Sequence, residues 1–194
     1  MSKQFTINEP FSLSGKGLHT GLNINAKFIP AKENTGIIFR RIDLEKPVDI
    51  PALASYVSAT ERGTVLKKGD ASVSTIEHIM SAFMAHGIDN CIIEVNAPEV
   101  PILDGSAKLV VEAINKVGIK ELDAEKKYYE VKEEMTFNNG NSTIKLLPAD
   151  DFCAEVTIDF NSPILKRQTA SICGFTNYDK EISSARTFVF VREI

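Results

Sequence analysis

The stretch Val73-Ser-Thr-Ile-Glu-His78 places a carboxylate directly beside an imidazole. The apolar residues that follow recur at helical spacing, so Glu77 and His78 are predicted in the first turn of a helix. An imidazole there can bind a metal ion, while the neighbouring carboxylate takes a proton from metal-bound water. The helix N-terminus carries partial positive charge and favours an ionised Glu77.

The same stretch also matches a structural motif. Ser74-x-x-Glu77 is a capping box, in which Glu77 accepts a hydrogen bond from the Ser74 backbone and His78 is a surface histidine. His86 cannot share an ion with His78, because eight residues of helix span about 12 Å and two nitrogens on one zinc lie within about 4 Å. The pattern alone leaves both interpretations open.

Two further stretches contain residues that could bind a ligand. In Ser14-Gly-Lys-Gly-Leu-His-Thr-Gly21, the glycines let the backbone approach a ligand, and Lys16 and His19 could contact a phosphate. The spacing is not that of a nucleotide-binding phosphate loop, and a hairpin turn explains the glycines as well. In Ala185-Arg-Thr-Phe-Val-Phe190, the alternating phenylalanines are typical of a strand core.

The elements that would position these stretches follow from hydrophobic periodicity. Alternation from Leu22 to Phe28 predicts a strand, and apolar spacing predicts a helix from Ile76 that ends at Gly87. A strand over 91–95 and a helix over 109–117 follow, after a turn and N-cap at 104–106. The first 118 residues therefore suffice for a two-layer domain of sheet and helices.

The rest of the chain is predicted to be mainly strands. Asn138-Asn-Gly-Asn141 is a hairpin turn between strands at 128–137 and 142–147, and 152–160 is a further strand. The segment Lys27–Ala31 resembles Lys145–Ala149, 118 residues later, which indicates an internal repeat. The repeat places the second helical layer near residue 192, and only a short helical segment is predicted, at 179–186.

Composition excludes several classes of protein. The 22 basic and 26 acidic side chains give a net charge of −4, which argues against a nucleic-acid-binding protein, including a two-layer RNA-binding domain. The 43% of hydrophobic residues is typical of a globular domain. Without a leader or a membrane-spanning apolar run, the protein is expected to be cytoplasmic. Cys91, Cys153 and Cys173 form no CxxC motif, so three free thiols are expected.

Taken together, the stretches resemble one family, the zinc-dependent UDP-3-O-acyl-N-acetylglucosamine deacetylases of lipid A biosynthesis in Gram-negative bacteria. The matching segments occur in the family's order along essentially the whole chain. They are Ser14–Gly21, Val73–His78, Gly87–Asn90, Pro98–Ser106, Thr157–Phe160 and Ala185–Phe188. This resemblance favours the metal-binding interpretation of Glu77 and His78 over the capping box.

The resemblance implies a role for individual residues. Glu77 matches the family's general base, His78 its first zinc ligand, and Thr187 the threonine that hydrogen-bonds the oxyanion. His19 is a candidate for the substrate's diphosphate. The positions that match substrate-binding residues are Leu18, His19, Phe160, Phe188, Phe190, Glu193 and Ile194. Val189 and Glu193, near the expected uracil contacts, depart from the residues that relatives often carry.

The resemblance also implies an α+β fold of two similar domains. Each would be a sheet with a helical layer, of the ribosomal protein S5 domain 2-like type, with domain I at 1–122, a linker at 123–127 and a truncated domain II at 128–194. The other zinc ligands and the general-acid histidine are expected after Ile194, so the chain alone is expected to be inactive. The alternative is a non-catalytic α/β module that binds a ligand or partner. Oligomeric state and fusion to a hydroxyacyl-carrier-protein dehydratase stay open.

Overall fold

The computed structural model describes residues 2–160, 162 and 164–188. The fold is of the predicted α+β class, with several small sheets and few helices. Described residues 2–126 and 178–188 form one compact unit, and those between 127 and 177 form a second. None of the helices in the described part of the chain is both long and apolar enough to cross a membrane.

The described part of the chain contains fourteen strands and three α-helices. The strands are β1 Lys3–Ile7, β2 Phe11–Lys16, β3 Asn23–Pro30, β4 Ile37–Arg41, β5 Val48–Pro51, β6 Val57–Ala59, β7 Val65–Lys68, β8 Ala71–Val73, β9 Cys91–Val95, β10 Ile119–Glu125, β11 Met135–Asn139, β12 Ser142–Leu146, β13 Cys153–Ile158 and β14 Gln168–Cys173. The helices are α1 Glu77–Ala85, α2 Lys108–Val117 and α3 Tyr178–Glu181, and a 3₁₀ turn spans Ala54–Tyr56.

A five-stranded sheet in the order β2-β3-β9-β4-β5 forms the centre of the first unit. β9 pairs antiparallel with β3 and parallel with β4. The predicted alternation is confirmed for Ile24, Ala26 and Phe28, which are buried while the residues between them are exposed. Leu22, with which the predicted strand began, precedes β3 and is exposed. One face of the sheet is therefore apolar and needs a covering layer.

Helices α1 and α2 supply that layer. The ring of Phe83 on α1 meets Phe28 on β3 edge to face, with centroids 6.0 Å apart. Val110, Val111 and Ile114 form the buried stripe of α2. Each such side chain contributes roughly 1.5–3 kcal/mol through burial, so this packing fixes α1, and with it Glu77 and His78, against the sheet.

β10 contains most of the charged segment predicted as a linker. It pairs antiparallel with β1, with Lys3 opposite Glu125 and Phe5 opposite Glu121. The predicted linker at 123–127 therefore begins inside a strand, because backbone pairing with residues near the N-terminus outweighs the segment's low hydrophobicity. The predicted boundaries at 122 and 128 stay a prediction, and the compact units divide after residue 126.

The second unit consists of two hairpins. β11 pairs with β12 across a turn at Gly140, whose φ is +57°, and β13 pairs with β14. The predicted strand at 128–137 is shorter than expected and begins at Met135. The two similar five-residue segments lie at the ends of β3 and β12, each the second strand of a hairpin.

Cysteine pairing corrects one expectation. Cys153 and Cys173 are directly opposite each other on β13 and β14 and form a disulfide, so the prediction of three free thiols is wrong. Opposite residues of an antiparallel pair have close Cβ atoms, but a sequence separation of 20 positions hides this proximity in the sequence. Cys91 keeps a free thiol, and burial raises its pKa to about 12, which makes it unreactive.

The segment 178–188 packs on the helices of the first unit, although it was predicted to belong to domain II. The Tyr178 hydroxyl lies 2.6 Å from Ser81 Oγ on α1, and Asn115 Nδ2 on α2 donates to Asp179 Oδ2 at 2.8 Å. The predicted helix at 179–186 is a single turn, α3, at Tyr178–Glu181. The layer predicted near residue 192 lies outside the described residues.

Candidate catalytic site

Glu77 and His78 occupy the first two positions of α1, as predicted, and both are half-buried. The capping box is absent. Residue Ile76 precedes the helix without a side-chain cap, and Ser74 Oγ donates to the Pro98 carbonyl at 3.2 Å. Glu77 Oε2 instead accepts the Thr64 N–H at 2.9 Å. The carboxylate is therefore turned toward the 60–64 loop and away from its own helix end.

The 60–64 loop, which joins β6 to β7, contacts both Glu77 and His19. A Cβ on Gly63, whose φ is +152°, would lie 3.4 Å from Glu77 Oε1, so this residue of the loop lies against the carboxylate. On the same loop, the Arg62 carbonyl lies 3.1 Å from His19 Nε2. Glu77 and His19, 58 positions apart in the sequence, are thus held by Thr64 and Arg62, two positions apart on one loop.

Glu99 is a buried carboxylate with 0% of its surface exposed. It lies between the start of α1 and the stretch 14–21, called the glycine-rich loop below. Oε2 accepts the Thr20 N–H at 2.9 Å and the Thr20 hydroxyl at 2.8 Å. Oε1 accepts the His19 N–H at 3.0 Å and the Thr75 hydroxyl at 3.1 Å. Burial by itself raises the pKa of Glu99, but these hydrogen bonds outweigh it and lower the pKa below its ordinary value.

The segment 98–105, which carries Glu99, connects the other motif segments through its backbone. Beside Ser74, the Pro98 carbonyl accepts the Ser74 N–H at 3.0 Å and the Val100 N–H donates back to Ser74 at 3.2 Å. The Ile102 N–H donates to the Lys16 carbonyl at 2.9 Å, and Gly105 accepts the Thr187 N–H at 2.9 Å. The three stretches singled out in the sequence therefore attach to a single segment.

Backbone strain is concentrated around this site. Among the described residues other than glycine, those with positive φ are Asn34, Arg62, Thr75 and Leu103. Arg62 lies in the 60–64 loop, Thr75 lies two residues before α1, and Leu103 lies in the 98–105 segment. Thr75, at +63°, is β-branched, which makes this conformation especially costly. Such residues cost of order 1–3 kcal/mol each and persist where surrounding contacts hold them, often at functional sites.

The structure brings only some of the predicted site residues together. Glu77, His78 and His19 share one region, with the exposed Leu18 beside His19. Thr187 and Phe188 are exposed, and the Thr187 backbone is anchored to Gly105. Phe160 follows β13 and belongs to the second unit. The predicted residues Phe190, Glu193 and Ile194 lie outside the described residues, as does Val189.

Sequence reasoning missed Glu99, Thr75 and the 62–64 segment as parts of the site. The sequence contains one weak signal for Glu99, a charged residue between two prolines in an otherwise apolar run that ends at Leu103. A carboxylate in such a run is almost never fully buried without partners, which predicts local donors but does not identify them. For Thr75 and Gly63 no sequence signal was evident.

The donor set for a metal is incomplete. Imidazole is a common zinc ligand, so His78 fits one coordination position beside Glu77. His86 is used elsewhere, with Nδ1 2.9 Å from the Ala82 carbonyl and Nε2 3.4 Å from Asp179 Oδ1. Over the described ranges, no three His, Cys, Asp or Glu side chains are grouped so that they could hold an ion. The described residues therefore contain no complete zinc site.

Comparison with known proteins gives a consistent result. The sequence model of the UDP-3-O-acyl N-acetylglycosamine deacetylase family, LpxC, matches residues 4–194. The chain is 50% identical to the bifunctional enzyme LpxC/FabZ of Porphyromonas gingivalis, with all of the chain and 42% of that protein aligned. It is 43% identical to the UDP-3-O-acyl-N-acetylglucosamine deacetylase of Cellvibrio japonicus, with all of the chain and 65% of that protein aligned. The chain thus spans less than two-thirds of the length of these curated relatives.

Proposed function

The chain belongs to the UDP-3-O-acyl N-acetylglycosamine deacetylase family, and on that premise we propose that a protein carrying it hydrolyses the acetamide of UDP-3-O-(3-hydroxyacyl)-N-acetylglucosamine. Water adds to the acetyl carbonyl and the C–N bond breaks, which leaves acetate and a free amine on the sugar. This would be the committed step of lipid A biosynthesis. The observation that carries the proposal is the orientation of Glu77, whose carboxylate is held by the 60–64 loop next to His78.

Glu77 is proposed as the general base. Its Oε2 already accepts the Thr64 N–H, which holds the carboxylate toward the 60–64 loop and leaves Oε1 to accept a proton from the attacking water. Thr187 is proposed to donate its hydroxyl proton in a hydrogen bond to the oxyanion that develops on the carbonyl oxygen. Its backbone is tied to Gly105, so this residue is attached to the same segment that carries Glu99.

We propose Zn²⁺ as the cofactor, with His78 as one of its ligands. When bound, the ion would polarise the amide carbonyl and lower the pKa of water at the site. Because the described residues hold no complete ligand set, further ligands are needed in addition to His78. The role of His78 in this proposal is to hold the metal, and the role of Glu77 is to accept the proton.

Substrate contacts are proposed for the exposed side chains around the site. His19 would contact the diphosphate of the UDP-sugar, since its ring is fixed at Arg62 and lies on an exposed loop with Lys16. Leu18 and Phe188 are exposed apolar side chains that suit an acyl chain. For Phe160, in the second unit, the family resemblance by itself is the ground for proposing a contact with the uracil. A nucleotide-sugar substrate of this kind is consistent with a cytoplasmic enzyme, which we also propose.

The test compares variants in a longer protein that carries these residues together with a complete metal site. Glu77→Ala should lower kcat by about 10²–10⁴-fold, as expected for loss of a general base, while zinc content stays unchanged. His78→Ala should lower the zinc content itself. Acetate release and elemental analysis measure the two effects, with Glu112→Ala on α2 as the control. Metal loss in Glu77→Ala, with normal kinetics after zinc is restored, would reverse the two roles.

The 194-residue chain by itself should release no acetate from this substrate above background, because the described residues lack a complete metal site. The measurement uses the same assay with zinc added in excess. Turnover near that of the longer protein would contradict this expectation. Substrate binding without turnover would instead support the alternative of a binding module for the isolated chain.

A further inference from the structure

Glu99 is a buried carboxylate that the proposed chemistry does not use. It lies on the 98–105 segment and has no exposed surface, yet it carries charge at neutral pH because its pKa is lowered. A buried charge of this kind is tolerated only where it is fully hydrogen-bonded. Its partners are therefore the informative feature.

Those partners come from two separate segments of the site. The glycine-rich loop supplies the N–H groups of His19 and Thr20 and the Thr20 hydroxyl. The fourth donor is the hydroxyl of Thr75, two residues before the helix turn that carries Glu77 and His78. These segments lie 79–80 and 24 residues from Glu99 in the sequence. One carboxylate is thus the shared acceptor for the loop and for the strained residue before α1.

The close packing around Glu99 leaves little room for an alternative arrangement. Gly17 is buried, and a Cβ there would overlap both Glu99 Oε2 and Thr20 Oγ1 and would lie 2.9 Å from Ile24 Cδ1. The loop can reach the carboxylate only because residue 17 has no side chain. This explains one of the glycines that the sequence shows in the 14–21 stretch.

We propose that Glu99 is a positioning residue. Its carboxylate holds the glycine-rich loop against Thr75 and thereby determines the position of His19 relative to the helix turn of Glu77 and His78. It does not contact the reacting atoms. Its effect on turnover rests on the proposed function, whereas its effect on the loop does not. The two effects can be measured separately.

Glu99→Gln is the informative substitution. It keeps the shape of the side chain, but the amide nitrogen donates and cannot accept, so at one end it would face donors from the loop or from Thr75. Replacing an acceptor by a donor in a buried site leaves the facing groups unsatisfied. Glu112→Gln, on the exposed side of α2 beside Lys108, makes the same change of charge away from the site and is the control.

The first measurement is hydrogen exchange at the backbone amides of His19 and Thr20 in the 194-residue chain. Both N–H groups donate to Glu99, so Glu99→Gln should speed their exchange at least tenfold, while amides of β9 stay protected. Glu112→Gln should change neither. Thr20→Val removes the hydroxyl that donates to Glu99 and that also accepts the Leu22 N–H at 3.4 Å. It should speed exchange at His19 and Thr20 by a smaller factor and serves if Glu99→Gln does not fold. Unchanged exchange at both amides in the variants would overturn the proposal.

The second measurement is steady-state kinetics in the longer, active protein. Glu99→Gln should raise KM by about tenfold and lower kcat by less, because His19 is proposed to bind substrate and not to react. His19→Ala should raise KM in the wild type but add little in the Glu99→Gln background, since coupled residues are non-additive. Fully additive effects would overturn the proposal. If the wild type releases no acetate, the proposed function fails, and the exchange measurement still decides the positioning role.

Discussion

Glu77 depends on its neighbours for its orientation. One carboxylate oxygen accepts the Thr64 N–H, and the other faces Gly63, where the loop has no side chain. A general base must be held within hydrogen-bond reach of the proton that it accepts, so the shape of this loop belongs to the chemistry as much as the carboxylate does. The requirement at residue 63 is a backbone φ of +152°, which glycine adopts without strain.

Gly63→Ala is expected to lower kcat by at least tenfold. Alanine at a φ of +152° is strained, so the loop should shift and move the adjacent Thr64 N–H that holds Glu77. The new methyl group itself would lie 3.4 Å from Glu77 Oε1, in ordinary contact. The control is Gly69→Ala, at a φ of +60° with no atom within 4 Å of the added methyl, which carries backbone strain without contact to Glu77. Acetate release by the longer protein measures both. Equal losses in the two variants would contradict the explanation.

Helix α1 is held both at its start and near its other end. Ser74 and Thr75, which precede the helix, bond to the 98–105 segment. Ser81 and His86, farther along, contact α3. Tyr178, only 3% exposed, supplies the hydroxyl for Ser81. The single turn of α3 thus stabilises α1, although its own length is too short for independent stability.

Tyr178→Phe should lower the free energy of unfolding by about 0.5–1.5 kcal/mol, the usual contribution of one hydrogen bond. Ser81→Ala should have a similar effect, and the double variant should cost less than the two single effects combined, because both remove the same 2.6 Å contact. Chemical denaturation of the 194-residue chain measures this cycle. Additive losses would show that the hydroxyl pair is not the stabilising contact.

At the scale of the whole molecule, several carboxylates share a direction of pKa shift. Hydrogen bonds from Arg41 lower the pKa of Asp43, and those from Arg40 lower the pKa of Asp49. At Asp104, burial raises the pKa, but hydrogen bonds from Ser106 and the charge of Arg186 lower it overall. Glu99 shifts in the same direction. Each of these groups binds a proton less readily in the folded chain than in the unfolded chain.

The stability of the chain should therefore fall with pH in acid. A carboxyl group with a lowered folded pKa contributes its full stability above its unfolded pKa, about 3.9 for Asp and 4.3 for Glu, and loses it as pH falls toward the folded value. Thermal unfolding between pH 7 and pH 3 measures this, and the loss should begin near pH 5. Glu99→Gln should be less stable than wild type at pH 7 and show a shallower loss in acid. An unchanged slope would exclude a contribution from Glu99.

The second unit presents exposed apolar side chains. Phe137 and Ile144 are opposite each other on β11 and β12 and are 56% and 62% exposed, and Val156 on β13 is 57% exposed. Apolar surface of this kind promotes association. The 194-residue chain should therefore elute as larger species at higher concentration in size-exclusion chromatography. Ile144→Thr should reduce this effect more than Leu53→Thr on the first unit, and a compact monomer at all concentrations would contradict it.

Local sequence patterns were enough to predict several features of the first unit. The alternation of β3 and the helical start at Glu77 and His78 were readable, because each depends on residues within a few positions of one another. The same patterns predicted a two-layer domain of sheet and helices, and the family resemblance implied the α+β class. The patterns could not distinguish a capping box from a site carboxylate at Glu77, since both use the same residues.

The long-range contacts in the structure show that the capping box is absent, and they also reveal the buried position of Glu99, the contacts of the 60–64 loop with Glu77 and His19, the disulfide and the packing of α3 on the first unit. The contacts that build the site join residues from 13 to 80 positions apart, such as Thr64 with Glu77 and His19 with Glu99. No local period records such pairs. They form because burying the core of the first unit brings distant segments together, and their polar groups must then find partners in one another.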